Sequence, residues 1–252
     1  MAIRAIILNV IREALRQKII YVTILFTFLL FGIEPMLPSF QVGLRIQLFN
    51  DIALGISYLA VAILAVALSV NQLPSEIEKR TIYNVFSKPV RRIEFLTGKF
   101  LGVQIVLFAC VMLMGVAISL FTLIFFEKFQ IGLLQGICIE FMEGAIISSF
   151  ALLMSTFVSP TVNVFACILF YFTGHVKNSI MSGVENSGGL NGLLGKIIYY
   201  CLPSLENFNV NEAVARGMTL KIAFMAELAV YAIVFVIIFL SIASLVLSKK
   251  EL

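Results

Sequence analysis

The sequence predicts an all-α membrane protein. The expected architecture has six transmembrane helices, an N-terminal amphipathic interfacial helix, and a short cytoplasmic helix between the second and third spans. Three observations lead there. The 252 residues are 61% hydrophobic and 13% charged, whereas a soluble domain is about half apolar and about a quarter charged. The mean hydropathy is +1.06. The apolar residues fall into runs near the ~20 residues that cross a bilayer's hydrocarbon core, and with no water to bond the backbone there, such runs satisfy themselves as helices.

The chain opens "MAIRAIILNVIREALRQK". Ile3, Ile6, Ile7, Val10, Ile11 and Ala14 recur at helical spacing, while Arg12, Glu13, Arg16 and Gln17 lie largely off that stripe. Residues 1–18 therefore read as a helix lying at the headgroup level, its cations toward anionic lipid. The competing reading is a solvated helix packed on another chain. Charge interrupts this stretch and no small-residue cleavage site follows, which argues against a signal peptide. Spans are expected over 19–37, 52–70, 101–126, 131–158, 161–180 and 222–247. The first is short, but Lys18 can snorkel to the interface.

Six spans place both termini on one side. That side collects Arg4, Arg12, Arg16, Lys18, Lys249, Lys250 and the six cations of the 74–100 loop: Lys79, Arg80, Lys88, Arg91, Arg92 and Lys99. The other side collects half as many: Arg45, Lys128, Lys177, Lys196, Arg216 and Lys221. The richer side is expected to be cytoplasmic, so the protein is expected in the inner membrane of a prokaryote with both termini in the cytosol. The net charge of +4 is small and implies no nucleic-acid partner.

The 74–100 loop has more design than orientation needs. Ser75 and Glu78 form an S-x-x-E capping box beside Pro74 and Glu76. A helix over Glu76–Phe86 ends before Pro89, which disfavours helix at Lys88. A second helix starts near Arg91 and runs into the third span. The loop reads either as a lever that docks in a soluble partner or as a charged turn marking the cytosolic side.

The stretch "SEIEKRTIYNVFSKPVRRIEFLTGKFLG" resembles the pattern E-x-E-x-x-T, then S-K-P-x-x-R-x-E-F, then G-K-(apolar)-x-G. That pattern is typical of permease subunits of exporter-type (type-2) ABC transporters, most closely the subgroup associated with multicopper-enzyme maturation. The basic amphipathic start, the six-span layout and "YYCLPSLENFNV" before the last span fit the same family. The resemblance implies that residues 1–18 are an elbow helix and that residues 76–86 are a coupling helix contacting an ATPase subunit. Glu76, Glu78, Lys79, Arg80 and Thr81 would make or orient that contact, and Lys88, Pro89 and Arg91 would hold the corner. It implies two copies of the ATPase subunit, which carries ATP and Mg, and a second permease copy or related permease. No cofactor is expected on this chain.

The chain itself is not expected to be an enzyme. The nearest approach to a P-loop is "LNGLLGKI", with Leu190 in place of the first glycine and Ile197 in place of the Ser or Thr that binds magnesium. The lone histidine, His175, has no nucleophile elbow nearby and reads as a satisfied interfacial residue. The four cysteines, Cys110, Cys138, Cys167 and Cys201, are scattered, which suits small buried side chains rather than disulfides or metal.

Glu140 and Glu143 stand inside the fourth span, three residues apart and so on one helix face. Intramembrane carboxylates are costly and usually face a bundle interior or water. They read either as part of a translocation path, a proton-sensitive site or a dimer interface, or as a pair neutralised by protonation or a helix-end contact. Glu227 in the sixth span is a candidate for the same surface. Gly132 and Gly136 form a G-x-x-x-G, read as packing. The 178–220 segment is rich in Gly, Asn and Ser, which predicts loops with short interfacial helices on the outer side. It serves either as a gating element or as an inert connector. Two other functions compete with the ABC reading: a secondary transporter driven by an ion gradient, motivated by Glu140 and Glu143, and a non-transporting scaffold that recruits a partner through the loop.

Overall fold

The structure, a computed structural model, describes residues 2–16, 20–33, 35, 42–74, 92–128, 130–184 and 202–249. Among the described residues there is no strand. The elements are α1 (Ala2–Arg16), α2 (Ile20–Ile33), α3 (Val42–Val70), α4 (Arg92–Phe126), α5 (Ile131–Met154), α6 (Pro160–Val184), a 3-10 turn (Leu205–Phe208), α7 (Asn211–Ala215) and α8 (Ile222–Lys249).

Among the described residues, four helices are long and apolar enough to cross a membrane: Gly43–Val70 in α3, Ile93–Phe126 in α4, Ile131–Met154 in α5 and Ile222–Ser248 in α8. They mark the chain as an integral membrane protein. The expected spans at 19–37 and 161–180 do not reach that standard among the described residues. α2 has 14 residues, about 21 Å at 1.5 Å per residue, against a core of about 30 Å. α6 has 25 residues, but Asn163, His175 and Lys177 interrupt its apolar run. Boundaries move as well. α3 starts at Val42 rather than 52, taking Arg45 and Asp51 into helix. Residues 92–100 are the first turns of α4, in line with the helix expected to start near Arg91, and α6 continues to Val184.

α5 is the centre of the bundle, packed against α3, α4 and α8. Glycines make this packing close. A Cβ on Gly144 would lie 2.9 Å from Val61 of α3 and 3.0 Å from Leu107 of α4, and one on Gly115 of α4 would lie 2.9 Å from Ile137 of α5. Backbones held this near gain dispersion contacts that lipid chains cannot supply. Gly132 and Gly136 do pack, but also against the chain between α7 and α8 and α7 itself: their added Cβ atoms would lie 2.6 Å from the Met218 carbonyl and 3.5 Å from Val214. An aromatic triad ties α5, α6 and α8 together. Phe150 stacks on Phe170 at 4.0 Å, and Phe239 meets both edge-on at 5.6 and 5.9 Å. α8 exposes Val230, Ile233, Ile237 and Leu245, an apolar face suited to hydrocarbon.

The predicted stripe of α1 packs on this chain's own α4. Val10 and Ala14 are buried and Ile6 joins the core. The seat on α4 is Gly98 and Gly102, where an added Cβ would lie 3.2 Å from Ile6 and 2.7 Å from Val10. With 35 residues, α4 is about 52 Å long, longer than the ~30 Å hydrocarbon core, so its first turns can carry α1 outside the core. Ile3, Leu8 and Leu15 stay exposed next to Arg12 and Arg16.

Gly102→Ala is expected to lower stability by about 1–3 kcal/mol, the usual cost of overpacking, read as thermal unfolding in detergent. The Val10→Ala, Gly102→Ala double variant should lose less than the sum of the single losses, because the smaller residue vacates the clash.

Candidate functional site

Glu140 and Glu143 sit one turn apart near the middle of α5, 1% and 2% exposed. Isolated carboxylates at such depth would be prohibitive, and α3 and α6 supply their polar surroundings. Ser57 and Tyr58 are adjacent on α3, about 100° apart around the helix, so one meets Glu140 while the other reaches α6. The Ser57 hydroxyl lies 2.8 and 2.9 Å from the two Glu140 oxygens and 2.9 Å from the Leu54 carbonyl. The Tyr58 hydroxyl lies 2.7 Å from His175 Nε2 and also borders the Glu143 carboxyl.

His175 is oriented from its other side. Its Nδ1 is 2.9 Å from the Tyr171 carbonyl. A carbonyl can only accept, so Nδ1 carries the hydrogen and donates it. That leaves Nε2 facing Tyr58 and, at 3.5 Å, Glu143 Oε1. The Tyr171 ring leans on the imidazole with centroids 4.4 Å apart, and the Tyr58 ring meets it edge-on at 5.5 Å. The tight α3–α5 seat at Gly144 and Val61 is one turn away from Glu140 and Ser57 and sets these distances.

Beyond the cluster, toward the end where α4 meets α5, residues 202–221 pack into the bundle. Leu205 and Phe208 are wholly buried. Gly174, next to His175, leaves room for Leu205, whose Cγ would stand 2.6 Å from an added Cβ. Lys177 Nζ donates to the Leu202 carbonyl at 2.6 Å, and the Ser204 amide donates to the Tyr231 hydroxyl at 2.7 Å. Gln135 of α5 holds Leu220 by a reciprocal amide pair, accepting from its N–H at 2.8 Å and donating to its carbonyl at 3.1 Å. α7 ends in a left-handed Gly217 (φ 79°). The Gly217 N–H donates to the Val214 carbonyl and the Met218 N–H to the Ala213 carbonyl, the glycine-terminated motif that satisfies a helix C-terminus. On the other side of the cluster, α3, α5 and α6 line an open cleft of about 300 Å³ walled by Ile63, Val66, Ile147, Cys167 and Tyr171.

The structure thus joins Glu140 and Glu143 with His175, which the sequence suggested was merely an interfacial residue. Glu227 does not join them. It is exposed on α8, in a shallow groove with Val230 and Tyr231. The expected coupling residues Glu76, Glu78, Lys79, Arg80, Thr81, Lys88, Pro89 and Arg91 lie outside the described residues. Lys99, counted with the cytosolic cations, is buried, its Nζ donating to Gln72 Oε1 at 3.2 Å and lying 5.9 Å from the Phe95 ring centroid. Ser57 and Tyr58 were missed because nothing in "ALGISYLAV" distinguishes them from ordinary span residues. Compared with known proteins, the chain matches no family model and no curated protein.

Removing the Ser57 hydroxyl leaves buried Glu140 without that partner, a loss of about 1–3 kcal/mol. Ser57→Ala should therefore lower the unfolding temperature in detergent. The same change in a Glu140→Leu background should cost little, so a double-mutant cycle isolates the pair.

Proposed function

We propose that this chain is the permease subunit of an exporter-type ABC transporter, coupling ATP hydrolysis on a separate subunit to movement of a substrate across the membrane. The observation that carries the reading is the stretch from Glu76 to Gly102, with its E-x-E-x-x-T, S-K-P and G-K-x-x-G elements. The seating of α1 supports it. Gly98 and Gly102 of that same stretch hold Ile6 and Val10, so one rigid helix, α4, joins the proposed elbow helix to the end of the proposed coupling loop.

In this reading α2 and α6 complete six spans with both termini in the cytosol of a prokaryote. ATP and Mg bound by two copies of the partner draw the coupling helices of two permease copies together. Glu76, Glu78, Lys79, Arg80 and Thr81 contact that partner, and the corner at Lys88, Pro89 and Arg91 passes the movement into α4. Such coupling works because the partner binds the two permease states with different affinity. The exposed face of α8 with Glu227 suits the contact between permease copies, whereas Glu140 and Glu143 are buried within one copy.

Purification in mild detergent should recover a stoichiometric soluble subunit with ATPase activity. The Glu76→Lys, Glu78→Lys double variant should bind it at least tenfold more weakly, with helix content and unfolding temperature unchanged. A folded sample without any such subunit removes the proposal. The buried carboxylate–histidine cluster favours a second reading, a transporter driven by an ion gradient, and substrate uptake into proteoliposomes driven by a proton gradient without ATP would select it.

A further inference from the structure

We propose that the cluster formed by Tyr58, Glu143 and His175, with Ser57 and Glu140 beside it, is a proton-binding site inside the bundle that holds one exchangeable proton between Glu143 and His175. The inference goes beyond the transport reading and stands whether or not an ATPase partner exists.

It follows from counting donors. The Nδ1 hydrogen of His175 is committed to the Tyr171 carbonyl. Tyr58 has one hydroxyl hydrogen and two acceptors before it, His175 Nε2 and the Glu143 carboxyl. Serving one leaves the other without it. Glu143 Oε1 is buried with no hydrogen-bond partner, although Nε2 stands only 3.5 Å away. Buried polar atoms are seldom left so. One added proton resolves the shortage. Placed on Nε2, it makes the imidazole a donor on both nitrogens and frees the Tyr58 hydrogen for Glu143. Placed on Glu143, it turns the carboxyl into a donor. Either way one proton is taken from water and no other bond changes.

The Glu140 half has the same shortage. The single Ser57 hydrogen faces the Leu54 carbonyl and both Glu140 oxygens. A proton on Glu140 would be donated to Ser57 Oγ, freeing the serine hydrogen for Leu54. The groups that face the site are Ser57 and Tyr58 from α3, Glu140 and Glu143 from α5, Tyr171 and His175 from α6, and the charge of Glu206 from the 3-10 turn. The imidazole is the more open of the two partners, its side chain 18% exposed while that of Glu143 is 3% exposed. Any movement that parts α3 from α6 separates Tyr58 from His175, so conformation and proton occupancy are linked.

The chain contains one histidine, so labelling the full-length protein with ¹⁵N-histidine gives a single imidazole to follow by NMR during a pH titration in lipid nanodiscs. Infrared difference spectra on the same samples follow protonated carboxyl groups. Nδ1 should stay protonated throughout. As pH falls, either Nε2 gains a proton or a protonated-carboxyl band appears that is missing in Glu143→Gln. Glu143→Gln should lower the proton affinity of the imidazole about tenfold, one pH unit, while Glu212→Gln at an exposed position leaves it unchanged. Should Glu143→Gln fail to fold, Tyr58→Phe carries the test. By removing the hydrogen that Nε2 and Glu143 share, it should shift that affinity by a similar factor. An imidazole unaffected by these variants, together with no titrating carboxyl band that depends on Glu143, would overturn the proposal.

Discussion

Hydrocarbon offers no hydrogen bonds, so every polar group carried into the bundle must find its partner within the chain. In this protein that constraint acts most strongly on two carboxylates of α5. Glu140 and Glu143 are deeply buried, and they require α3 to present Ser57 and Tyr58, and α6 to present His175, at fixed heights. The mutual placement of three helices follows from that requirement. The same constraint recurs elsewhere in the bundle. Asn50 of α3 donates to Gln130 before α5 and accepts from Thr122 of α4, Gln104 bonds Ser148 at 2.7 Å, and Asn163 donates to the Ala151 carbonyl at 2.9 Å near the end of α5.

Close approach makes these short bonds possible. Gly115 and Gly144 let α4 and α3 lie against α5 at distances a methyl group would forbid, and Gly98 and Gly102 do the same for α1 on α4. Because interiors packed this closely do not deform continuously, α4 can act as a rod, with α1 docked at one end and the α3–α5 core beside the other. Movement at the start of α4 is therefore expected to reach the core as a rigid-body shift rather than be absorbed locally.

Much of this was legible in the chain. The runs at 52–70, 101–126, 131–158 and 222–247 correspond to α3, α4, α5 and α8, because a long, predominantly apolar run has a single solution in lipid. The amphipathic stripe of α1 was legible for the same kind of reason, being periodic and local. The i, i+3 spacing of Glu140 and Glu143 told that they share a face. Less legible were α2 and α6, where the apolar run is short or broken by Asn163, His175 and Lys177 and composition alone cannot say what neighbouring helices will tolerate. The burial of Lys99 was hidden by its charge, since a cation reads as exposed until a partner such as Gln72 is seen.

The sequence by itself determined that this is a helical membrane protein, where its long helices lie, and that one helix carries two carboxylates on one face. Those properties depend on residue type and spacing along a single segment. The tertiary structure alone decided what the carboxylates face, that His175 belongs with them, that Glu227 does not, and that the stripe of α1 closes on Gly98 and Gly102. Each of these is a contact between residues far apart in the chain, fixed by the crossing of helices whose apolar surfaces are almost interchangeable in composition. Only the positions of a few glycines and polar side chains break that degeneracy, and their effect appears only once the helices are packed.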